Sequence, residues 1–334
     1  MVSVSVIIPN YNKGVLVKHS LDSLLRQTCG DWEAIVVDDC SSDDSWAVIR
    51  EYAAKDDRIV AARNETNKGG NFCRNLGAKM SHGKYLVFLD SDDWLSDDCI
   101  EYRVKEFERD ENKGVDLLVF QMMATMDGVT GGIWRCGDSN NALESFLRHE
   151  IVWQTMMPIW RSTAFVRIGG FDEAFPRLQD VELHTRALLL GLKYKLAQRT
   201  TPDSFYFIDE ARMTSNHEKA AENFVRAIEL YHAKMSQLIK ASSGVMVKKA
   251  YLLNDLVETQ MTAIRIVGDL YQTGKIDKVA RNQFFKRVLS ICRNRDVYFY
   301  AMLYKLNVNR IKGFNFLYRR SYRLRCLALR CKER

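Results

Sequence analysis

The 334-residue chain holds only 4 prolines, and they are spread apart, so no proline-rich linker divides it. No run of about 18 apolar residues occurs, so no membrane-crossing helix is expected. Its 8 cysteines stand at Cys29, Cys40, Cys73, Cys99, Cys136, Cys292, Cys326 and Cys331. None forms a Cys-x-x-Cys pair or a Cys/His set with zinc-ligand spacing, so reduced thiols are expected rather than a disulfide or zinc framework. The first apolar stretch, Val4 to Ile8, lacks a basic leader and runs into Asn10-Tyr11-Asn12 rather than a cleavage site. A signal peptide is therefore not expected, and a cytoplasmic location is. Internal repeats and low-complexity tracts are missing too.

What remains is ordinary globular material, 47% hydrophobic and 27% charged, which excludes a disordered or fibrous class. The formal net charge of +7 is unevenly placed. Between Asn309 and Arg334 nine Lys or Arg stand against the single acid Glu333, leaving the rest of the chain at −1. A nearly neutral body argues against a nucleic-acid binder. In the tail, Phe314, Leu317, Leu324 and Ala328 share a rough face at helical spacing, and Arg319, Arg323 and Arg330 share another. Such a helix lies on an anionic membrane; packing on its own domain or on a second subunit is the alternative.

Short β-branched runs alternate with helical patterns through the first hundred residues. Val4–Ile8, Trp32–Val37, Ile59–Ala62 and Tyr85–Leu89 read as strands. Helical spacing marks 15–27, 42–52 and 69–80, with Ser42 or Asp43 able to cap the second. This alternation predicts a parallel sheet that binds ligand at the carboxyl ends of its strands. Those ends carry Pro9 and Tyr11, then Asp38 and Asp39, then Asp90, Asp92 and Asp93. Farther on, 115–123 reads as one further strand, 127–141 as a loop or hairpin, and 141–149 as a helix. The segment 155–164 returns to the sheet, 180–190 is a helix ending at Gly191, and 193–197 and 204–208 are strands. From about 215 the pattern is helical throughout, as 215–241, 245–273, 276–293 and 296–330.

Asp90-Ser91-Asp92-Asp93 crowds three carboxylates after a strand. Such a group repels itself unless a cation or hydrogen-bond donors offset the charge. A hard divalent ion, Mg²⁺ or Mn²⁺, suits it, sharing its remaining positions with phosphate oxygens; a turn or helix cap is the structural alternative. Asp38-Asp39 has the same ambiguity, since either can accept from a base imino group or ribose hydroxyl while the other caps a helix.

Taken together these segments resemble family 2 glycosyltransferases. The resemblance lies in Val4-Ser-Val-Ile-Ile-Pro-Asn-Tyr-Asn-Lys13, Leu24-Leu-Arg-Gln-Thr28, Glu33-Ala-Ile-Val-Val-Asp-Asp39 and Ser41-Ser42-Asp43. It continues through Asn67-Lys-Gly69, Arg74-Asn75, Gly77-Ala78 and the stretch from Gly83 to Asp93. It covers about 1–100 and resumes near 157–191. It implies a GT-A fold, a nucleotide-diphosphate sugar donor, a divalent metal and inversion at the anomeric carbon. By matching position, Pro9 and Tyr11 would flank the nucleobase, Asp39 would contact its edge, and Arg74 would reach base or phosphates. Asp92 would lie by the ribose, and Asp90, Asp92 and Asp93 would share the metal in a way that the sequence does not divide.

Gly169-Gly-Phe-Asp-Glu173 and Arg177-Leu-Gln-Asp-Val-Glu-Leu183 resemble the acceptor-side segment of the family. The usual Glu-Asp pair is here Gln179-Asp180. Asp180 then stands as catalytic base, with Glu182 its nearest rival and a helix N-cap its structural alternative. Trp153 and Trp160 are sugar-stacking or core residues, and His217 falls where related enzymes close a loop over the diphosphate.

The expectation is an inverting, metal-dependent glycosyltransferase in bacterial surface polysaccharide synthesis. It would use a UDP-sugar, by family frequency, and a glycan or lipid-linked glycan acceptor at the inner membrane face. Its expected domains are 1–214, with a nucleotide-sugar half 1–100 and an acceptor half 101–214, and a helical region 215–334 ending in the basic tail 309–334. The alternative is a non-catalytic nucleotide- or glycan-binding protein on the same fold. A nucleotidyltransferase is disfavoured because Pro9-Asn-Tyr-Asn-Lys13 is not a glycine-rich phosphate loop. No nucleic-acid partner is expected.

Overall fold

The computed structural model describes residues 2–126, 129–134, 141–208, 216–243, 246–291 and 294–305. The chain divides into two compact units. Met1–Ala142, Val152–Ala174 and Leu190–Glu210 make the first, and Leu143–Ile151, Phe175–Leu189 and Ala211–Arg334 the second.

The first unit opens with β1 (Val4–Asn10), α1 (Leu16–Leu25), β2 (Trp32–Asp38), α2 (Ser45–Lys55), β3 (Ile59–Arg63), α3 (Gly70–Met80) and β4 (Tyr85–Phe88). These strands are parallel to one another, with β1 between β2 and β4 and β3 outside β2. Every residue of β2 and β4 is buried, as a sheet covered on both faces requires. Val4, Val6 and Ile8 of β1 alternate onto one face, where Val17, Leu21 and Leu24 of α1 cover them at helical spacing. Gly83 has no room for a side chain, since a Cβ there would lie 2.5 Å from Ser5 N and Oγ.

After β4 come β5 (Trp94–Leu95), α4 (Cys99–Phe107), a 3₁₀ turn (Asp110–Asn112), β6 (Leu117–Val119), β7 (Met122–Met126) and β8 (Val129–Trp134). Then follow α5 (Ala142–Leu147), β9 (Pro158–Arg161), α6 (Ser162–Arg167), α7 (Gln179–Leu189), β10 (Tyr194–Leu196) and β11 (Ser204–Phe207). The main sheet has the order β10-β6-β9-β4-β1-β2-β3, with β9 antiparallel to both neighbours. A smaller sheet has the order β5-β11-β7-β8.

The stretch 115–123 is not the single strand that its apolar run predicts. Leu117–Val119 pairs in the main sheet and Met122–Met126 in the small one. An uninterrupted apolar run records burial but not the partner strand. The partners, β9 and β10 for one part and β8 and β11 for the other, are up to about eighty residues away in sequence. A buried ion pair holds the junction. Arg103 of α4, fully buried, donates from Nε and Nη2 to both Asp203 oxygens at 2.8 and 2.7 Å and from Nη1 to Met156 O at 2.9 Å.

The second unit is helical. Besides α7 it contains α8 (His217–Ala241), α9 (Met246–Gln272), α10 (Lys278–Ile291) and α11 (Arg295–Lys305). Asn216 caps α8 by accepting from Lys219 N. Phe224, Val225, Ile228, Met261, Ile264, Phe285 and Tyr300 belong to one apolar core. Tyr231 Oη donates to Phe146 O at 3.1 Å and shares a 2.8 Å hydrogen bond with Thr185 Oγ1. Among the described residues no helix is long and apolar enough to cross a membrane. The tail 309–334, Arg212, the domain boundary at 214 and 215, and Cys136, Cys292, Cys326 and Cys331 lie outside the described residues.

Candidate active site

Strands β1 and β2 are in register so that Asn10 lies beside Asp38, and β4 runs parallel on the other side of β1. The segments that follow β1, β2 and β4 therefore leave one edge of the sheet. The first two are laced together. Asp38, fully buried, accepts from Asn10 Nδ2 at 3.0 Å and Ser41 N at 3.1 Å and pairs with Arg63 at 3.2 Å. Asn12, at φ 52°, donates from N to Ser41 Oγ and accepts from Ser42 N. Asp43 accepts from Gly14 N and Ser45 N. Burial works to raise its carboxyl, but the Ser45 and Gly14 donors outweigh it and hold the group below the usual range. Gly14 is required by close approach, because a Cβ would sit 1.9 Å from Asp44 Oδ1.

Asp39 is 3% exposed. Its Oδ1 accepts from Asn64 Nδ2 and Lys68 N, both at 2.8 Å, and its Oδ2 from Gly69 N at 2.7 Å. The carboxylate thus shapes the turn that starts α3, where Gly69 takes φ 90°. Beside it, burial first and then the Asp39 charge push the Cys73 thiol up to about 12. Pro9 is half-buried, while the Tyr11 ring is 49% exposed at the same edge.

The three acids after β4 have three different surroundings. Asp90 is the outermost, its side chain 38% exposed, and accepts from Arg74 Nη2 at 2.5 Å. Asp92 is 5% exposed and pairs with Lys13 Nζ at 3.2 Å. Asp93 is fully buried; its Oδ1 accepts from Phe207 N of β11 at 2.8 Å, and its carbonyl accepts from Ser20 Oγ at 2.6 Å. Asp93 therefore ties the small sheet and α1 to this loop. Carboxylates fit a hard divalent cation in donor type, and Asp90 and Asp92 are each already opposed by a cationic side chain. Among the described residues no three His, Cys, Asp or Glu converge as ligands. A cation held here would take one or two carboxylates and complete its shell with phosphate oxygens and water, the usual habit of Mg²⁺.

Arg74 also lies 5.3 Å over the Phe171 ring. The loop carrying Phe171 is docked on α3 by two asparagines. Asn75 donates to Phe171 O and Glu173 Oε1 and accepts from Phe171 N, and Asn71 donates to Asp172 O. Gly169 and Gly170 take φ 81° and 69°, and a Cβ on Gly170 would lie 2.6 Å from Asn75 Oδ1.

In the second unit, Asp180 stands half-buried in the first turn of α7, accepting from Val181 N at 2.9 Å. Leu178, just ahead of the helix, takes φ 62°. Glu182 is fully buried and held by Arg186 at 2.6 and 2.9 Å and Lys234 at 2.7 Å. His217 is half-buried at the start of α8. Trp153 and Trp160 are fully buried in the first unit, so they are core residues rather than platforms for sugar.

An acid-lined edge of a parallel sheet, with a cation beside each outer carboxylate, is suited to a phosphorylated ligand, and sequence comparison names the family. Residues 5–161 match the model of glycosyl transferase family 2. The chain carries a family 2 glycosyltransferase domain. An uncharacterised glycosyltransferase of Haemophilus influenzae is 28% identical over 67% of this chain and 78% of its own length. WfgD of Escherichia coli, named a UDP-Glc:α-D-GlcNAc-diphosphoundecaprenol β-1,3-glucosyltransferase, is 40% identical over 28% of this chain and 36% of its own length. The S. aureus TarS 1-349 structure in complex with UDP-GlcNAc superposes with a TM-score of 0.63 at 17% identity, covering 91% of this chain and 92% of that one. The last likeness is one of fold, and the fold of this chain is GT-A with an all-helical C-terminal region.

Sequence reasoning missed Lys13, Asn64, Asn71 and Asn75 as members of this constellation. Lys13 and Asn75 lay inside quoted motifs and Asn64 and Asn71 within three residues of one, but their partners are reached only through the fold. Arg103 with Asp203 carried no local signal at all, being 100 residues apart.

Proposed function

We propose that this glycosyltransferase moves a sugar from a UDP-sugar to a hydroxyl of a glycan or lipid-linked glycan, with inversion, in bacterial surface polysaccharide assembly. The observation that carries the reading is the sheet edge where Asp92 pairs with Lys13 and Asp90 with Arg74, and where Asp39 accepts from the Lys68 amide. The UDP in the WfgD name and in the TarS complex supports the donor class, and the diphosphoundecaprenol of WfgD supports a lipid-linked acceptor.

In this reading Tyr11 and Pro9 flank the base, and the exposed Tyr11 ring is available to stack. Asp39 sets the wall of the base pocket through the Lys68 and Gly69 amides and offers its edge to the base. Arg74 and Lys13 counter the diphosphate charge, with Asp92 at the ribose. Asp90 and Asp92 would hold Mg²⁺ or Mn²⁺, and Asp93 supports them from beneath. The metal, when bound, offsets charge on the departing diphosphate. Asp180 takes the proton from the attacking hydroxyl. Glu182 is unsuited to that task, because it is fully buried and its oxygens are taken up by Arg186 and Lys234. The catalytic domain is placed at 1–214 and a helical region at 215–334, whose basic tail would approach anionic lipid.

The test is a thermal-shift panel of UDP, GDP, CDP and dTDP, with and without Mn²⁺, followed by donor turnover. UDP is expected to stabilise the protein most, and more with Mn²⁺, and the Asp90→Asn/Asp92→Asn variant loses the metal-dependent part. Preference for another nucleotide would overturn the donor assignment. Binding without turnover of any donor would overturn catalysis in favour of a binding role.

A further inference from the structure

Each outer carboxylate after β4 faces a cation that comes from a different part of the chain. Lys13, ahead of α1, reaches Asp92 at 3.2 Å, and Arg74 of α3 reaches Asp90 at 2.5 Å. The backbone fixes both cations in place. The Lys13 amide donates to Ser45 Oγ at 3.0 Å, and its carbonyl accepts from Val17 N at 2.8 Å. Arg74 belongs to the helix whose entry turn Asp39 holds through the Lys68 and Gly69 amides. The Lys13 and Arg74 side chains are only 14% and 10% exposed, so water and salt screen their charges weakly.

In this arrangement the two carboxylates and the two cations offset one another. If a divalent cation enters alone, Asp92 and Asp90 must be shared between it and Lys13 and Arg74, and positive charge accumulates in a partly buried site. If a diphosphate enters alone, Lys13 and Arg74 must be shared between phosphate and carboxylates, and negative charge accumulates. When both enter together the four side chains can change partners. Lys13 and Arg74 turn to phosphate oxygens, Asp90 and Asp92 turn to the divalent cation, and every charge keeps an opposite neighbour.

We propose that Lys13 and Arg74 hold the place of the divalent cation, so that cation and nucleotide diphosphate bind cooperatively and each binds poorly alone. This role rests on the donor-site reading above and adds to it a coupling between the two ligands. Linkage makes the coupling reciprocal: the factor that UDP adds to Mn²⁺ affinity is the factor that Mn²⁺ adds to UDP affinity. Lys13 carries more of it than Arg74. Asp92 is 5% exposed, whereas the Asp90 side chain is 38% exposed and its pair is better screened by water.

The experiment titrates the full chain with Mn²⁺, without nucleotide and with saturating UDP, and follows loss of the free Mn²⁺ signal in electron paramagnetic resonance. Wild type, Lys13→Met and Arg74→Met are compared with Lys18→Met, which removes an exposed lysine near Glu51. In wild type UDP is expected to tighten Mn²⁺ binding by roughly 5–150-fold, the usual span of a coupling between sites. Lys13→Met removes the competing charge, so Mn²⁺ alone should bind about tenfold more tightly, and the factor added by UDP should shrink. Arg74→Met should move the same way by less, and Lys18→Met should match wild type. A merely structural defect weakens both ligands, so it does not produce a gain in Mn²⁺ affinity. Unchanged or weaker Mn²⁺ binding in nucleotide-free Lys13→Met overturns the proposal. So does UDP that binds wild type yet leaves Mn²⁺ affinity unaltered. Should circular dichroism show that Lys13→Met unfolds, Arg74→Met decides. Failure of UDP to bind at all sinks the donor reading instead, and the nucleotide-free comparison still tests whether Lys13 competes with the cation.

Discussion

Asp90, Asp92 and Asp93 are alike as letters, yet they have three jobs. Asp90 faces solvent and Arg74, Asp92 faces Lys13, and Asp93 is buried under a backbone amide. Asp93→Ala leaves the Phe207 N–H without its acceptor, so a loss of about 1–3 kcal/mol in urea denaturation is expected. Asp90→Asn keeps a hydrogen-bond acceptor for Arg74, so its unfolding midpoint should stay near wild type while the Mn²⁺-dependent part of UDP stabilisation falls. The same contrast separates the two acids of α7. Asp180→Asn is expected to reduce turnover about 10²–10⁴-fold, the range for a lost general base, with UDP stabilisation unchanged. Glu182→Gln instead leaves Arg186 and Lys234 beside an uncharged partner, and about 3–5 kcal/mol of stability should go with it. Equal effects of the two substitutions on stability would refute this division. Motif spacing located all five carboxylates; only their burial and donors sorted them.

Among the elements, those with purely local determinants were readable in advance. Strand β2 and helix α3 fall within a residue or two of the bounds that periodicity and turn residues predict. The division of 115–123 between β6 and β7 was not readable, nor were β5 and α4. The strands among them pair with β9, β10 and β11, which arrive from far along the chain, and no local pattern encodes that arrival. The docking of the Gly169–Glu173 loop on α3 lies between these cases. The glycine pair announces a turn, but Asn71 and Asn75 hold it only once α3 has packed. Gly170→Ala adds a side chain at φ 69° and 2.6 Å from Asn75 Oδ1, so it is expected to cost about 1–3 kcal/mol. The UDP affinity of that variant should drop as well if the loop steadies Arg74 through Phe171, which calorimetry can read directly.

At the scale of the whole molecule, each unit carries its own apolar core, and the helical one contains two buried imidazoles. Burial lowers His184 to about 3 and His232 to about 4. Both values lie below that of an exposed histidine, so between them and about 6.5 the unfolded chain binds more protons than the folded one. Stability is then complete above about pH 6.5 and falls as pH drops toward 4. At pH 5 the loss is about 2 kcal/mol for each ring. Melting temperatures measured from pH 7.5 to 5 should decline in wild type and flatten in a His184→Gln/His232→Gln variant; parallel curves would show that other groups control acid unfolding.

The order of strands and helices in the first hundred residues and the placing of acids at strand ends were determined by sequence alone, through short-range periodicity and turn chemistry. The GT-A fold was implied by the resemblance of the motifs to family 2 glycosyltransferases. Tertiary structure decided which carboxylate faces a cation and which supports the loop, that Trp153 and Trp160 are core, and that one apolar run serves two sheets. These outcomes depend on burial and on partners distant in the chain, and burial is a property of the folded packing rather than of any window of residues.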